Sequence, residues 1–256
     1  MLAAGLDIFS RFGLEYISRY LHVLVGITWI GLLYYFNFVQ VPAFAEMEAA
    51  ARNNAADKLA SRALWWFRWA AVATVATGIL ILGFQTGTGG EGSALTDVDY
   101  FKSVRGISIA TGVLLALTMF LNVWGIIWRN QKIVIANARN VQAGGEADPN
   151  AAAAGRAALM ASRMNTIFSL PMLVFMIGTS HFPYDISEAP SGSTRLLYWV
   201  ITLVIWGVFE ASALGFIGGT KPGGINAIFD THKNTIITGS IYAVVMLAVF
   251  SLVLGS

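Results

Sequence analysis

The sequence predicts an all-α membrane protein, a single domain over residues 1–256 that forms a polytopic bundle of about six spanning helices. Hydrophobic residues make up 56% of the chain and charged residues 12%, against about 45–50% and about 25% in a soluble domain. The apolar residues fall into separate runs, each close to the roughly 20 residues with which a helix crosses about 30 Å of hydrocarbon. The runs lie at about residues 17–40, 64–84, 106–128, 162–182, 197–218 and 234–254.

The borders of these runs carry the residues that are typical of a membrane interface. No strongly cationic segment precedes the first run and no small-residue cleavage pattern follows it, so we expect it to remain as a spanning helix. Aromatic residues, which favour the headgroup region, lie near the end of the first run, at the start of the second and at the end of the third. They are Tyr34, Tyr35 and Phe36, then Trp65, Trp66 and Trp69 beside Arg68, then Trp128.

The distribution of positive charge predicts the orientation of the bundle. Eleven Lys and Arg residues lie in or beside the connections between the first and second, third and fourth, and fifth and sixth runs, whereas five lie on the other side. Because cytoplasmic loops carry the excess of positive charge, both termini are expected to face the periplasm. The predicted location is the bacterial inner membrane, with the lipid bilayer as the first partner.

The chain contains no cysteine and has a formal net charge of only +2. The missing cysteines exclude disulfides, thiolate metal sites, iron–sulfur clusters and covalent haem attachment through C-x-x-C-H. A cofactor must therefore be held by His, Met or oxygen ligands. The small and scattered positive charge argues against a nucleic-acid partner.

Two of the three histidines are candidate axial ligands of a haem b. His22 lies just inside the first run and His181 at the end of the fourth; antiparallel helices bring both to the periplasmic side, and neutral imidazole is a common iron ligand. Gly26, at i+4 from His22, and Gly178, at i−3 from His181, leave room for a flat porphyrin on the same helix faces.

Basic residues on the same side are candidate donors to the haem propionates. Arg19, at i−3 from His22, points the same way as that histidine, and Arg105 and Arg195 are further candidates. The alternative is that His181 is a solvated interfacial residue and that the glycines serve helix packing. His22 is harder to explain in that way, because polar groups inside a membrane are costly and usually line a site. His232 lies in a loop on the cytoplasmic side, so it is expected to be solvated and not to complete a metal site with the other two. The alternative is a ligand of a second site or a proton carrier.

Glu210 is the candidate catalytic residue. It lies about thirteen residues into the fifth run, where a carboxyl group should be protonated or paired. It could line a proton path or a quinone or substrate pocket, or it could form a structural hydrogen bond between helices. Asn37, Gln40, Asn122 and Asn165 are expected toward the same half of the membrane and could share its pocket or form separate interhelical hydrogen bonds.

Three segments resemble the membrane domain of the bacterial membrane-bound urate hydroxylases. They are Arg19-Tyr-Leu-His-Val-Leu-Val-Gly-Ile-Thr-Trp-Ile-Gly31 with Tyr34-Tyr-Phe-Asn37, then Trp124-Gly-Ile-Ile-Trp-Arg-Asn-Gln-Lys132, then Asn165 to Pro183, which contains Leu-Pro and ends in His-Phe-Pro. The resemblance implies oxidation of urate to 5-hydroxyisourate, with electrons leaving through a fused cytochrome c domain. The chain carries no such domain, so we expect a separate cytochrome c or a respiratory complex to accept the electrons. The Leu-His-Val start also looks like that of other bacterial haem-b membrane proteins, including a protoporphyrinogen oxidase family.

Two other functions remain open from the sequence. One is a non-catalytic accessory subunit packed against a respiratory or other membrane complex, in which the polar residues serve helix contacts alone. The other is a transporter, although no inverted repeat is visible. The sequence favours a haem-b oxidoreductase of the urate hydroxylase type over both.

Overall fold

The computed structural model describes residues 7–182 and 189–255 and confirms the predicted all-α bundle. Six helices are long and apolar enough to span a membrane, and the described residues contain no strand. The helices are α1 (Arg11–Glu46), α2 (Ala49–Phe84), α3 (Val104–Gln142), α4 (Ala151–Gly178), α5 (Gly192–Ala213) and α6 (His232–Leu254).

The two ends of the bundle differ in their connections. The end that holds residues 41–63, 129–161 and 214–233 is called the basic end below, and the end that holds residues 7–11, 84–104 and 189–192 the terminal end. At the basic end the first three helices extend well beyond the predicted apolar runs, to lengths of 36, 36 and 39 residues. The predicted runs mark only the apolar part of each helix, and α2 and α3 continue beyond them with largely polar sequence.

The fourth and fifth helices end earlier than predicted. α4 ends at Gly178, so His181 lies in the turn that follows and not in the helix. α5 begins at Gly192, five residues before the predicted start, and ends at Ala213. Beyond it the chain reverses through Gly215 and Gly218, whose φ angles are +79° and +78°. Such angles favour glycine and stop a helix.

Four long helix segments begin with a hydroxyl cap. In each, a Ser or Thr side chain accepts a hydrogen bond from the backbone N–H three residues later, which satisfies a donor that the first helical turn leaves free. The caps are Ser10 before α1, Ser103 before α3, Ser191 before α5 and Thr231 before α6.

Helix α4 lies at the centre of the bundle. In its most apolar stretch of 18 residues, 72% is buried, against 22% in the corresponding stretches of α1, α5 and α6. It packs against α3 through Ser108 Oγ, 2.9 Å from Thr179 Oγ1, and against α6 through the rings of Phe175 and Phe250, 5.4 Å apart. The outward faces of α5 and α6 expose branched apolar side chains such as Val204 and Val244. These faces contact the lipid bilayer.

Replacing Gly239 with leucine is expected to destabilise the bundle by about 1–3 kcal/mol through overpacking. A Cβ atom at Gly239 of α6 meets the backbone of Ile167 on α4, with Cα at 3.1 Å and the carbonyl oxygen at 3.2 Å. The matched control is Gly207→Leu on α5, where no atom lies within 4 Å of the new Cβ. Thermal unfolding in detergent micelles checks this, and equal stability of the two variants would contradict it.

Candidate functional site

His22 lies in the antiparallel hairpin that α1 and α2 form at the terminal end. The register of the hairpin is fixed in part by Arg11, whose Nε donates to the Phe84 carbonyl at 2.6 Å. His22 Nδ1 is 3.1 Å from Thr77 Oγ1 on α2. A Cβ atom at Gly78 would lie 3.3 Å from His22 Cε1, so this glycine gives the imidazole its space.

The hydrogen bonds around Thr77 indicate the tautomer of His22. The Thr77 hydroxyl has two carbonyl acceptors in its own helix, Ala73 at 2.7 Å and Thr74 at 3.0 Å. Because that hydroxyl has one hydrogen and donates it to a carbonyl, it accepts from His22, and Nδ1 carries the ring proton. The Nε2 lone pair of His22 then remains available to a ligand or metal.

Arg19 lies near the haem-binding candidates on α1 and is held by polar partners. Its Nη2 is 2.7 Å from Glu15 Oε1 and 3.2 Å from Gln85 Oε1. Gly26, the other predicted residue on this helix face, has no atom within 4 Å of the position of a Cβ. The surface beside Gly26 is therefore open.

Tyr100 lies at the terminal end, where the charges of both Arg19 and Arg105 act on it. Its hydroxyl accepts a hydrogen bond from Gln85 Nε2 at 3.0 Å. Burial raises the pKa of Tyr100, and the hydrogen bond from Gln85 and the charges of Arg105 and Arg19 act in the opposite direction. Both guanidinium groups thus act on one phenol. Arg105 Nε is buried and has no hydrogen-bond partner among the described residues, so one of its donors is free for an anionic group.

His181 lies at the terminal end as well, beyond the last turn of α4. Its Nδ1 is 2.9 Å from the Ile177 carbonyl oxygen. A carbonyl oxygen only accepts, so Nδ1 carries the proton and Nε2 is free, as in His22. The surface that Gly178 leaves open is covered by the Phe182 ring. A flat cofactor could lie against Gly178 only if this ring moved.

The structure thus brings the two candidate histidines to the same end of the bundle. No hydrogen bond or ring contact joins their imidazoles within residues 7–182. Helices α1 and α4 touch nearer the basic end, through Tyr34 and Ser169, whose hydroxyls are 2.8 Å apart. The predicted propionate donor Arg195 lies on the first turn of α5, beside Gly192.

Glu210 belongs to a hydrogen-bonded cluster close to the basic end. Its Oε2 accepts from Asn122 Nδ2 at 3.3 Å, and the same amide lies 3.0 Å from Asn165 Oδ1. Asn165 is fully buried and donates to the Met119 carbonyl at 2.9 Å. Glu210 lies three residues before the end of α5 at Ala213, and its partner Asn122 lies about midway along α3. Its depth in the membrane stays a prediction.

The helices are irregular around this cluster. π-helical turns, which often mark functional positions, occupy Tyr35–Gln40 in α1 and Val123–Ile127 in α3. Asn37 Nδ2 donates to Ser162 Oγ at 2.8 Å, whereas its Oδ1 and Gln40 Oε1 are buried and have no partner in the described part of the chain. The predicted polar residues therefore separate into an Asn122–Asn165–Glu210 group and an Asn37–Ser162 group.

The third histidine, His232, lies apart from His22 and His181. His232 lies at the basic end, far along the bundle from the other two histidines, as expected, with its ring 6.5 Å from that of Phe38. It is the first residue of α6 and not the loop residue that was predicted. Sequence reasoning missed Thr77 and Gly78, which contact His22, because their role depends on the register of the hairpin. It also missed the burial of Arg68, which is only 7% exposed.

The loop at the terminal end is expected to lose stability in acid because of Asp97. Its carboxylate accepts from the backbone N–H of Thr88 at 2.5 Å and of Tyr100 at 3.1 Å. These hydrogen bonds lower the pKa of Asp97. A lowered folded-state pKa stabilises the fold above the unfolded-state value, and this contribution is lost as the pH falls through the folded-state pKa. Amide hydrogen exchange at Thr88 and Tyr100, corrected for intrinsic rates, should show protection that decreases in that range.

Asp97→Asn should remove most of this pH dependence. The control is Asp99→Asn, because the Asp99 carboxylate is exposed and pairs with Lys102 at 2.7 Å. If protection of the two amides does not change with pH in the parent protein, the stabilising role of the Asp97 carboxylate is wrong.

Comparison with known proteins identifies one family. Residues 92–214 match the family model described as urate oxidase N-terminal. The matched region covers α3, α4 and α5 and includes His181 and Glu210, whereas His22 lies outside it. The match confirms the predicted family resemblance for this part of the chain, which is just under half of its length. No curated protein and no solved structure matches the chain.

Proposed function

We propose that this protein is a membrane-bound haem-b oxidoreductase of the urate hydroxylase type, which passes electrons to a separate periplasmic cytochrome c or to a respiratory complex. The single observation that carries the proposal is that His22 and His181 share one hydrogen-bonding arrangement, with Nδ1 bonded and Nε2 free. Each Nδ1 is held by an oxygen of a helix, Thr77 Oγ1 for His22 and the Ile177 carbonyl for His181. Iron-ligating histidines are oriented in this way, with the second nitrogen fixed by an outer hydrogen bond.

Other residues at the terminal end fit the chemistry of a haem. His22 and His181 would ligate the iron through Nε2, Gly26 offers an open surface, and Arg105 Nε is a buried donor without a partner. Arg19 would act with Arg105 on the propionates, since charge-assisted hydrogen bonds to carboxylates are the strong ones. When bound, haem b supplies one-electron transfer.

Glu210 supports the proton chemistry of the proposed reaction. Converting urate and water to 5-hydroxyisourate releases two electrons and two protons, so the protein needs a proton acceptor. A carboxylate inside a membrane protein is costly unless it has a function or a partner, and in the described residues Glu210 has one amide donor, Asn122. Its position close to the basic end fits a proton or substrate route that opens there.

The test is a reduced-minus-oxidised spectrum of the purified protein, followed by the addition of urate. We expect haem-b bands in the spectrum and their partial reduction by urate. Absence of haem would overturn the proposal of a haem protein. Haem that urate does not reduce would overturn the substrate but leave the haem site standing.

A non-catalytic accessory subunit is the second candidate. The observation that favours it is the low burial of α1, α5 and α6, 22% in each apolar stretch of 18 residues, which leaves broad apolar faces for neighbouring subunits as well as for lipid. Isolation from native membranes as part of a larger complex, without haem and without a redox response to urate, would support this candidate.

A further inference from the structure

Arg68 is a buried cation without a matching anion. It lies on α2 with only 7% of its surface exposed, and its Nε and Nη1 atoms are buried without hydrogen-bond partners among the described residues. No carboxylate forms an ion pair with it in that part of the chain. Its guanidinium carbon instead lies 3.4 Å from the centre of the Trp128 ring and 5.8 Å from that of Trp124. Cation–π contacts stabilise such a charge but leave its directional donors unused.

A small cavity adjoins the same tryptophan. It has a volume of about 140 Å³ and is lined by Ser61, Trp128, Lys132, Ile135, Ala136 and Arg139. Lys132 Nζ lies 5.8 Å from the centre of the Trp128 ring, so this ring contacts two cations. Arg139 is paired with Asp57. Among the described residues, Lys132 in the lining and Arg68 on the Trp128 ring have no anionic partner.

The position of this cavity along the bundle indicates what kind of anion reaches it. Trp65, Trp66 and Trp69 surround Arg68 on α2 and are 48–60% exposed, in the pattern of an aromatic belt at the depth of the lipid headgroups. A phosphate at this depth belongs to a phospholipid. Basic pockets between spanning helices on the cytoplasmic side bind such headgroups.

We propose that Arg68, Lys132 and Trp128 form a binding site for the headgroup phosphate of an anionic phospholipid in the leaflet at the basic end. Lys132 lines the cavity, and its ammonium holds the phosphate. Arg68 does not line the cavity, and its positive charge, buried against the Trp128 ring, attracts the phosphate without direct contact. The exposed tryptophans contact the acyl–headgroup boundary. Ser61 also lines the cavity, but its hydroxyl donates its hydrogen to the Asp57 carbonyl. The site is separate from the histidines and does not depend on the proposed redox function.

Reconstitution into nanodiscs tests the site. The full chain is placed in phosphatidylcholine alone and in a mixture with phosphatidylglycerol, and the lipid that remains bound after detergent extraction is identified by native mass spectrometry. We expect the parent protein to retain phosphatidylglycerol in preference to phosphatidylcholine. Lys132→Gln should weaken this retention about fivefold, the effect of roughly one cation near an anionic membrane surface.

Removing cations outside the cavity distinguishes a specific lipid site from a general effect of positive charge. Lys221→Gln and Lys233→Gln remove exposed cations at the same end of the bundle but outside the cavity, and they should leave the retention unchanged. Arg68→Lys keeps the positive charge and should leave the retention close to that of the parent, whereas Arg68→Gln removes the charge and should lower it. Lys132→Gln reports on the site independently if Arg68→Gln fails to fold. Equal retention of both lipids, an equal loss in the Lys221 variant, or displacement of the lipid by millimolar inorganic phosphate would overturn the proposal.

Discussion

Replacing His22 with alanine is expected to abolish the haem-b absorbance of the purified protein. The variant removes an imidazole whose Nδ1 is fixed by Thr77 at 3.1 Å and whose Nε2 is free to ligate iron. Under the proposed function the variant removes one of the two residues that would hold the haem, so the haem should be lost during purification or give a changed spectrum. The absorption spectrum and the haem content per chain measure the effect.

His232→Ala is the matched control for this experiment. His232 lies at the basic end beside Phe38, so its removal should leave the haem content unchanged. His181→Ala should reproduce the effect of His22→Ala, because the proposed function assigns one iron ligand to each of these histidines. If His22→Ala retains the full parent spectrum, His22 is not an axial ligand and its hydrogen bond to Thr77 serves helix packing.

Thr77→Val tests the outer hydrogen bond without touching the ligand. It removes the oxygen that accepts from His22 Nδ1 and keeps a side chain of similar size. Loss of such an orienting partner typically lowers metal affinity by about 10–100-fold. A haem titration of the apoprotein measures the affinity. Thr74→Val is the control, because the described hydrogen bond of its hydroxyl is to Ala70 in its own helix.

The architecture was predictable from the sequence because a bilayer permits few structures. Apolar runs of about 20 residues in a chain with 12% charged residues must form helices that satisfy their own backbone groups. The helix ends were less predictable. α3 continues to Gln142 and α2 begins at Ala49, in largely polar sequence that a hydropathy pattern does not identify as helical.

The candidate site was predictable in its residues but not in their surroundings. Counting helices along the chain places His22 and His181 at one end. It does not give the register of α1 against α2, which puts Thr77 and Gly78 beside His22. It also does not reveal that the Phe182 ring covers Gly178, because that contact depends on how the chain turns after α4.

The burial of Arg68 was likewise not predictable from the sequence. Its neighbours Trp65, Trp66 and Trp69 predict an interfacial anchor, and they are indeed exposed. Helix geometry turns Arg68 from the lipid toward α3, where Trp128 covers it. A pattern of residue types thus located the membrane interface, whereas the pairing of two helices decided which of its residues is buried.

Replacing Glu210 with glutamine is expected to lower urate oxidation by about 100-fold or more, the usual effect of losing a proton-transferring side chain. Glutamine keeps the shape of the side chain, and its amide oxygen can still accept from Asn122 Nδ2, which lies 3.3 Å from the Glu210 carboxylate. It cannot gain and lose a proton. The fold and the haem content should therefore stay as in the parent, while turnover with urate and an artificial electron acceptor falls and loses its acidic pH limb.

The control is Glu146→Gln, an exposed carboxylate in the connection between α3 and α4, which should leave turnover unchanged. Glu210→Ala adds a second readout, since a small weak acid such as acetate can enter the space and restore part of the proton transfer. A purely structural Glu210 would give the opposite pattern. In that case Glu210→Gln would turn over urate at the parent rate with the parent pH profile, and Glu210→Ala would lose thermal stability without rescue by acetate.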